Sequence, residues 1–180
     1  MDWRHYCSRF LEISKMETGL IQMNKKKFPL MDTVISAVNR TYPKADEKEI
    51  EFVFDYEKEL ETCTIMQDKR WLGEAVINVL DNAVKYSPCG SKIFIRLQKR
   101  NDLVRMEIED QGIGIPQNEY HKIFQRFTEE VPRRSWEKSG TGIGLFLSRE
   151  IIEKHAGAIT VTSGKKKKGS TFVIQLPYVG

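Results

Sequence analysis

KIFIRLQKRNDLVRMEIED, residues 92–110, is the stretch on which the fold turns. Ile93, Ile95 and Leu97 alternate with Lys92, Arg96 and Gln98, the period-two rhythm of a half-buried strand. Asn101-Asp102 supplies a tight turn, and Leu103 to Asp110 returns with Val104, Met106 and Ile108 on one face. The two runs therefore form a β-hairpin. The same alternation carries Asp110 onto the inward face, where a carboxylate must find donors from protein, water or a ligand. A satisfied carboxylate at a strand end and a ligand-binding one both fit this pattern.

Upstream, residues 69–86 read as the longest helix, ended by Ser87-Pro88 because proline disfavours helical backbone before it. At 100° per residue, Glu74, Asn78, Asp81, Asn82 and Lys85 share one stripe. Leu72, Ala75, Val76, Val79, Leu80 and Ala83 lie opposite, so the polar stripe reads as the wet face of an amphipathic helix. Two asparagines mid-helix are an odd choice for a merely wet face, since Glu or Lys favours helix more. Amide oxygens can ligate a hard cation, and a lysine one turn on offers a point charge to an anion.

Downstream, Gln111-Gly112-Ile113-Gly114-Ile115-Pro116 breaks the strand into a loop able to approach a ligand closely. Ser139-Gly140-Thr141-Gly142-Ile143-Gly144-Leu145 opens a helix reaching to about His155, and glycines at a helix start let N–H groups face an anion. It fits neither a Walker loop nor a Rossmann fingerprint. Ala158 to Ser163 and Ser170 to Leu176 form a second hairpin across a Gly164–Gly169 turn of four lysines, which reads as a solvated tip. Strands are also expected at Ile50–Tyr56 and Cys63–Met66. Helices are expected at 2–17, punctuated by Thr18-Gly19, and at Met31–Tyr42, closed by Pro43. Paired hairpins with unalternated helices predict an α+β fold: a two-layer sandwich, its sheet mixed but mostly antiparallel, with helices on one face.

Composition sets the outer limits. The chain of 180 residues carries 29 Lys+Arg against 25 Asp+Glu, and the resulting +4 is too small to argue for a nucleic-acid partner. No run approaches the ~20 apolar residues of a membrane span, which predicts no membrane contact by this segment. Cys7, Cys63 and Cys89 are odd in number and widely spaced, as reduced thiols of a cytoplasmic protein are. Whether the parent protein is anchored in a membrane is a separate question. His121 and His155 read as surface or helix-end residues with no metal-ligand spacing.

Order and spacing then combine. Asn78-x-x-x-Asn82-x-x-Lys85-Tyr86, Asp110-x-Gly112-x-Gly114-Ile115, Phe124-x-x-Phe127 and Gly140-x-Gly142-x-Gly144-Leu145 together resemble the nucleotide-binding set of sensor histidine kinases. These belong to the wider ATPase family that includes DNA gyrase, Hsp90 and MutL. The resemblance runs from about Phe10 to Pro177. Residues 1–19 are similar to the end of a dimerisation helix and linker, and 20–180 to the catalytic domain, whose closing strand Gly169-Ser170-Thr171-Phe172 up to Leu176-Pro177 resembles.

The resemblance implies a Bergerat-type ATP-binding fold, with ATP and Mg²⁺ as cofactors. Asn78 would ligate Mg²⁺, Asn82 and Lys85 would contact phosphates, and Tyr86 would border the nucleotide. Asp110 would accept from the adenine amino group while Gly112, Gly114 and Ile115 let the backbone pass close to the base. Phe124 and Phe127, flanking Arg126, would anchor a lid over 128–139, although core packing fits both phenylalanines equally. Gly140, Thr141, Gly142, Gly144 and Leu145 would hinge that lid and present donors to the triphosphate. Ser139 stands where the family often has a glycine. His5 is followed by Tyr6-Cys7-Ser8-Arg9 without the proline of a phosphoacceptor motif, so the acceptor histidine would sit on a separate helical domain and pass its phosphate to a response regulator. Two alternatives remain open: an ATP hydrolase of the gyrase type with Glu74 as base, and a non-catalytic interaction module.

Overall fold

The computed structural model describes residues 22–125, 143–163 and 169–178. Seven strands and three α-helices follow one another as β1 (Lys26–Pro29), α1 (Leu30–Asp46), β2 (Glu51–Tyr56), β3 (Thr64–Gln67), α2 (Lys69–Tyr86), β4 (Lys92–Arg100), β5 (Leu103–Glu109), α3 (Gly144–Lys154), β6 (Ala158–Ser163) and β7 (Ser170–Pro177). The principal sheet has the order β2-β4-β5-β7-β6. Both hairpins form as the sequence predicts, β4 with β5 across Asn101-Asp102 and β6 with β7. Joining them, β5 pairs antiparallel with β7, while β2 lies parallel to β4 at the edge.

One face of this sheet builds the core. Ile93, Ile95 and Leu97 of β4, Val104, Met106 and Ile108 of β5, and Phe172, Ile174 and Leu176 of β7 are all buried, at every second position. Against them pack Leu72, Ala75, Val76, Val79, Leu80 and Ala83 of α2, with Leu147, Ile151 and Ile152 of α3 and Val34, Ala37 and Val38 of α1. The result is the expected two-layer α+β sandwich.

Three local features differ from the sequence expectation. β1 was unforeseen because its lysines mask any apolar rhythm; it pairs antiparallel with β3, and Gln67 Nε2 donates to Phe28 O across the pair. Pro43 does not close α1, which runs on to Asp46 with Pro43 inside. A proline in the last turn forfeits one backbone bond, and burial of Ala45 holds the chain helical beyond it. The third helix opens inside the glycine run, as the sequence predicts: it spans Gly144–Lys154 with His155 as its C-cap. His155 does sit at a helix end, but it is not at the surface: it is 4% exposed, with Nδ1 2.7 Å from Ile151 O and Nε2 accepting from the Asp68 N–H at 3.0 Å. The expected helix over 2–17, the residues of the lid and the lysine turn at 164–168 lie outside the described residues.

Candidate nucleotide site

The site is assembled where the end of α2, the loop after β5 and the start of β7 touch. Asp68 caps α2 by accepting from Arg70 N and Trp71 N, which fixes where the helix starts and hence which way each later side chain faces. Of the polar stripe, Asn82, Lys85 and Tyr86 are half-buried, but Asn78 is not on a wet face at all: it is 3% exposed. The cause is α3. Its first residue, Gly144, lies against the Asn78 amide, so that a Cβ there would come within 3.5 Å of Asn78 Oδ1. Ser148, one turn on, shares its hydroxyl proton between Ala75 O at 3.1 Å and Gly144 O at 2.9 Å, pinning α3 to α2.

Glu74 and Asp81, the two carboxylates of the stripe, face α1. Arg40 approaches Glu74 at 3.7 Å and Lys44 pairs with Asp81 at 2.9 Å. The stripe thus divides, with Glu74 and Asp81 toward α1 and Asn78 against α3. Lys85 lies with Nζ 4.8 Å from the centre of the Tyr86 ring, a cation–π contact that lays the ammonium beside the aromatic wall.

Asp110 is buried, 5% exposed, just beyond the end of β5. Its Oδ1 accepts from Gly112 N at 2.8 Å and Ser170 N at 3.2 Å. Burial pushes the carboxyl above the ordinary aspartate value, the two N–H bonds pull it back, and the neighbouring Glu109 charge adds to the push. With Oδ1 taken by backbone, Oδ2 is the oxygen left to accept from a ligand. The close packing that holds it requires glycine on both sides. At Gly112 a Cβ would stand 2.6 Å from Tyr86 O. At Gly169, where φ is +76°, it would stand 2.0 Å from Asp110 O. Gly114 also has φ +76° and passes against Gly169.

Gly169 and Ser170 are thus part of the aspartate's support, a role that sequence reasoning did not give them. The signal was in the Gly169-Ser170-Thr171 box, read only as a closing strand. Phe124 is 6% exposed and meets Phe172 edge-on, centroids 6.3 Å apart, so it packs in the core. Ile115 and Leu145 are partly buried against the same core. Arg126, Phe127, Gly140, Thr141 and Gly142 lie outside the described residues.

The donor set bears on a metal ion. Among the described residues no group of three or more His, Cys, Asp or Glu could hold one. The Asn78 amide is neutral and buried; its oxygen could ligate a cation, while its Nδ2, a donor with no hydrogen-bond partner, calls for an acceptor such as a phosphate oxygen. Buried polar groups are nearly always paired, so an orphan amide marks a place that a ligand completes. The residues fit a metal–triphosphate group.

A buried helix amide, a buried aspartate backed by two N–H donors and glycine-tight loops thus meet on one side of the α+β sandwich. The model of the family described as "Histidine kinase-, DNA gyrase B-, and HSP90-like ATPase" matches residues 67–180. The chain belongs to that family. Its relatives include the circadian input-output histidine kinase CikA of Synechococcus elongatus, 30% identical over 93% of this chain and 22% of CikA. The sensor protein SrrB of Staphylococcus aureus is 30% identical over 94% of the chain and 28% of SrrB. The chain thus spans less than a third of the length of either. Among solved structures, a mycobacterial sensor histidine kinase, MprB, superposes with TM-score 0.73 at 30% identity, covering 86% of this chain and 97% of that one. The catalytic domain of histidine kinase ThkA does so with TM-score 0.75 at 25% identity, covering 87% and 97%. The fold is that of a histidine-kinase catalytic domain.

Proposed function

We propose that this domain binds Mg-ATP and delivers the γ-phosphate to a histidine on a separate helical domain of its parent kinase, for onward transfer to a response regulator. Residues 1–19 are the tail of that helical domain and a linker, and 20–180 form the catalytic unit, working in the cytoplasm. The observation that carries the proposal is the buried Asp110, whose Oδ1 is occupied by two backbone N–H groups. The amino group of adenine is the complementary donor for Oδ2.

Asn78 would hold Mg²⁺ through its amide oxygen, and the cation supplies neutralisation of charge on the phosphates. Asn82 and Lys85 contact phosphate oxygens, Tyr86 borders the base, and Gly112, Gly114 and Ile115 form the close-fitting floor. Arg126, Phe127, Gly140, Thr141, Gly142, Gly144 and Leu145 frame the lid and the phosphate loop. Catalysis rests on position and electrostatics; an imidazole is nucleophilic near neutral pH and needs no strong dedicated base.

Calorimetric titration with Mg-ADP tests this. Asp110→Asn and Asn78→Ala should each weaken binding by roughly 10–100-fold, the worth of a hydrogen bond to a charged or buried partner. Unchanged affinity in both would sink the proposal. The hydrolase alternative would use Glu74, whose carboxylate lies 3.7 Å from the exposed Arg40, as the base that activates water. Steady phosphate release that Glu74→Gln abolishes would favour the hydrolase.

A further inference from the structure

Arg40, Lys44 and Lys48 recur every fourth residue and climb beside α2. The first two meet carboxylates, Glu74 and Asp81. Lys48 meets none of the helix's side chains. Its Nζ donates instead to three carbonyls, Val84 O at 2.6 Å, Lys85 O at 3.2 Å and Ser87 O at 2.5 Å. An ammonium has three protons, and all three are placed on the last turn of α2 and the residue that caps it. Cations favour this end of a helix, where carbonyls lack partners and carry partial negative charge.

The ammonium is itself held in place. Lys48 N donates to Ala45 O, Lys48 O accepts from Gly90 N, and Glu49 takes the left-handed conformation with φ 54°. The carbonyls it grips bracket Tyr86. Tyr86 O is the atom that lies where a Gly112 Cβ would be, 2.6 Å away, and the Gly112 N–H is one of the two donors to Asp110. A continuous chain of contacts therefore runs from Lys48 through the 84–87 backbone and the 112 loop to the carboxylate.

Resting on the nucleotide reading above, we propose that Lys48 is a positioning residue for the adenine end of the site, clamping the 84–87 turn so that the Asp110 loop seats against it. Lys48 touches no nucleotide. It acts through backbone, so its loss should weaken adenosine and Mg-ADP by the same factor. A lysine acting through its charge on the phosphates would weaken Mg-ADP alone.

The experiment compares the parent chain with Lys48→Met, Lys48→Arg and, as a control on the same row, Lys44→Met. Each is checked for folding by circular dichroism, then titrated with adenosine and with Mg-ADP; hydrogen exchange at the Gly112 amide is followed without ligand. Lys48→Met should raise both dissociation constants about tenfold, with their ratio preserved, and speed exchange at Gly112. Lys48→Arg, which keeps a charged fork of donors, should recover most of both, and Lys44→Met should leave both near the parent values. Folded Lys48→Met with both affinities within twofold of the parent overturns the proposal, as does a loss confined to Mg-ADP. Should Lys48→Met not fold, Lys48→Gln, which retains two donors, is judged by the same criteria. A parent chain that binds neither probe defeats the nucleotide reading, and the clamp then stands or falls on Gly112 exchange.

Discussion

At the scale of single residues, Asp110 shows function set against stability. Its carboxyl titrates above the ordinary aspartate range because burial disfavours its charge. The folded state therefore takes up a proton more readily than the unfolded chain. Its contribution to stability is full below the unfolded value of about 3.8 and is lost as pH rises through the higher folded value. At neutral pH the ionised group is a cost to the ligand-free fold. Asp110→Asn keeps an oxygen for Gly112 and Ser170 and removes the buried charge. It should raise the melting temperature of the ligand-free domain at pH 7 while weakening Mg-ADP. Thermal melts with and without nucleotide check both halves, and a variant that both melts lower and binds normally contradicts the account. An inward Asp110 was legible from alternation alone. What the alternation could not show was Gly169, because the atom it avoids, Asp110 O, is fifty-nine positions away in sequence and adjacent only after β5 pairs with β7.

Between elements, the joint of α2 and α3 carries a pH response of opposite sign. His155 at the end of α3 stays neutral between the Ile151 carbonyl and the Asp68 N–H. Burial lowers its pKa first of all, the bond to Ile151 O raises it, the Lys25 charge lowers it and Asp68 raises it. With the folded value below the unfolded one near 6.5, the unfolded state binds the extra proton, so stability is present above pH 6.5 and is lost as pH falls below it. The same Asp68 caps α2 and accepts from Asn24 N, and Lys25 Nζ reaches Lys154 O, so protonation strikes a four-way junction. The melting temperature should fall between pH 7.5 and pH 5.5. His155→Gln, lacking a titratable group, should flatten that slope; an unchanged slope in the variant would refute the assignment. Sequence periodicity placed His155 at a helix end, yet it could not see that Asp68 and the 22–25 segment converge on it.

For the molecule as a whole, a ligand that binds only the folded state stabilises it by mass action. Mg-ADP at about a hundred times its dissociation constant should add ~2.7 kcal/mol, or roughly 5–10 °C in melting temperature for a domain of this size. Scanning calorimetry with Mg-ADP, against Mg²⁺ alone and against Asn78→Ala, measures it. No shift at saturating nucleotide would favour a module that has kept the fold and lost the ligand. The same scale explains the misplaced Asn78. A helical wheel assigns each side chain to a face but cannot say which face a second helix will cover, and α3, arriving from sixty-six residues downstream, buried what the wheel left wet.

Local physics was enough for the hairpins, the long α2 and the inward carboxylate, because alternation, helical period and turn chemistry act over a few neighbouring residues. Tertiary structure alone decided the parallel edge strand β2, the burial of Asn78, the glycine-tight seat of Asp110 and the reach of Lys48 to the end of α2. Each of these depends on a contact between residues far apart in the chain, whose geometry is set by how sheet and helices pack and leaves no period in the sequence.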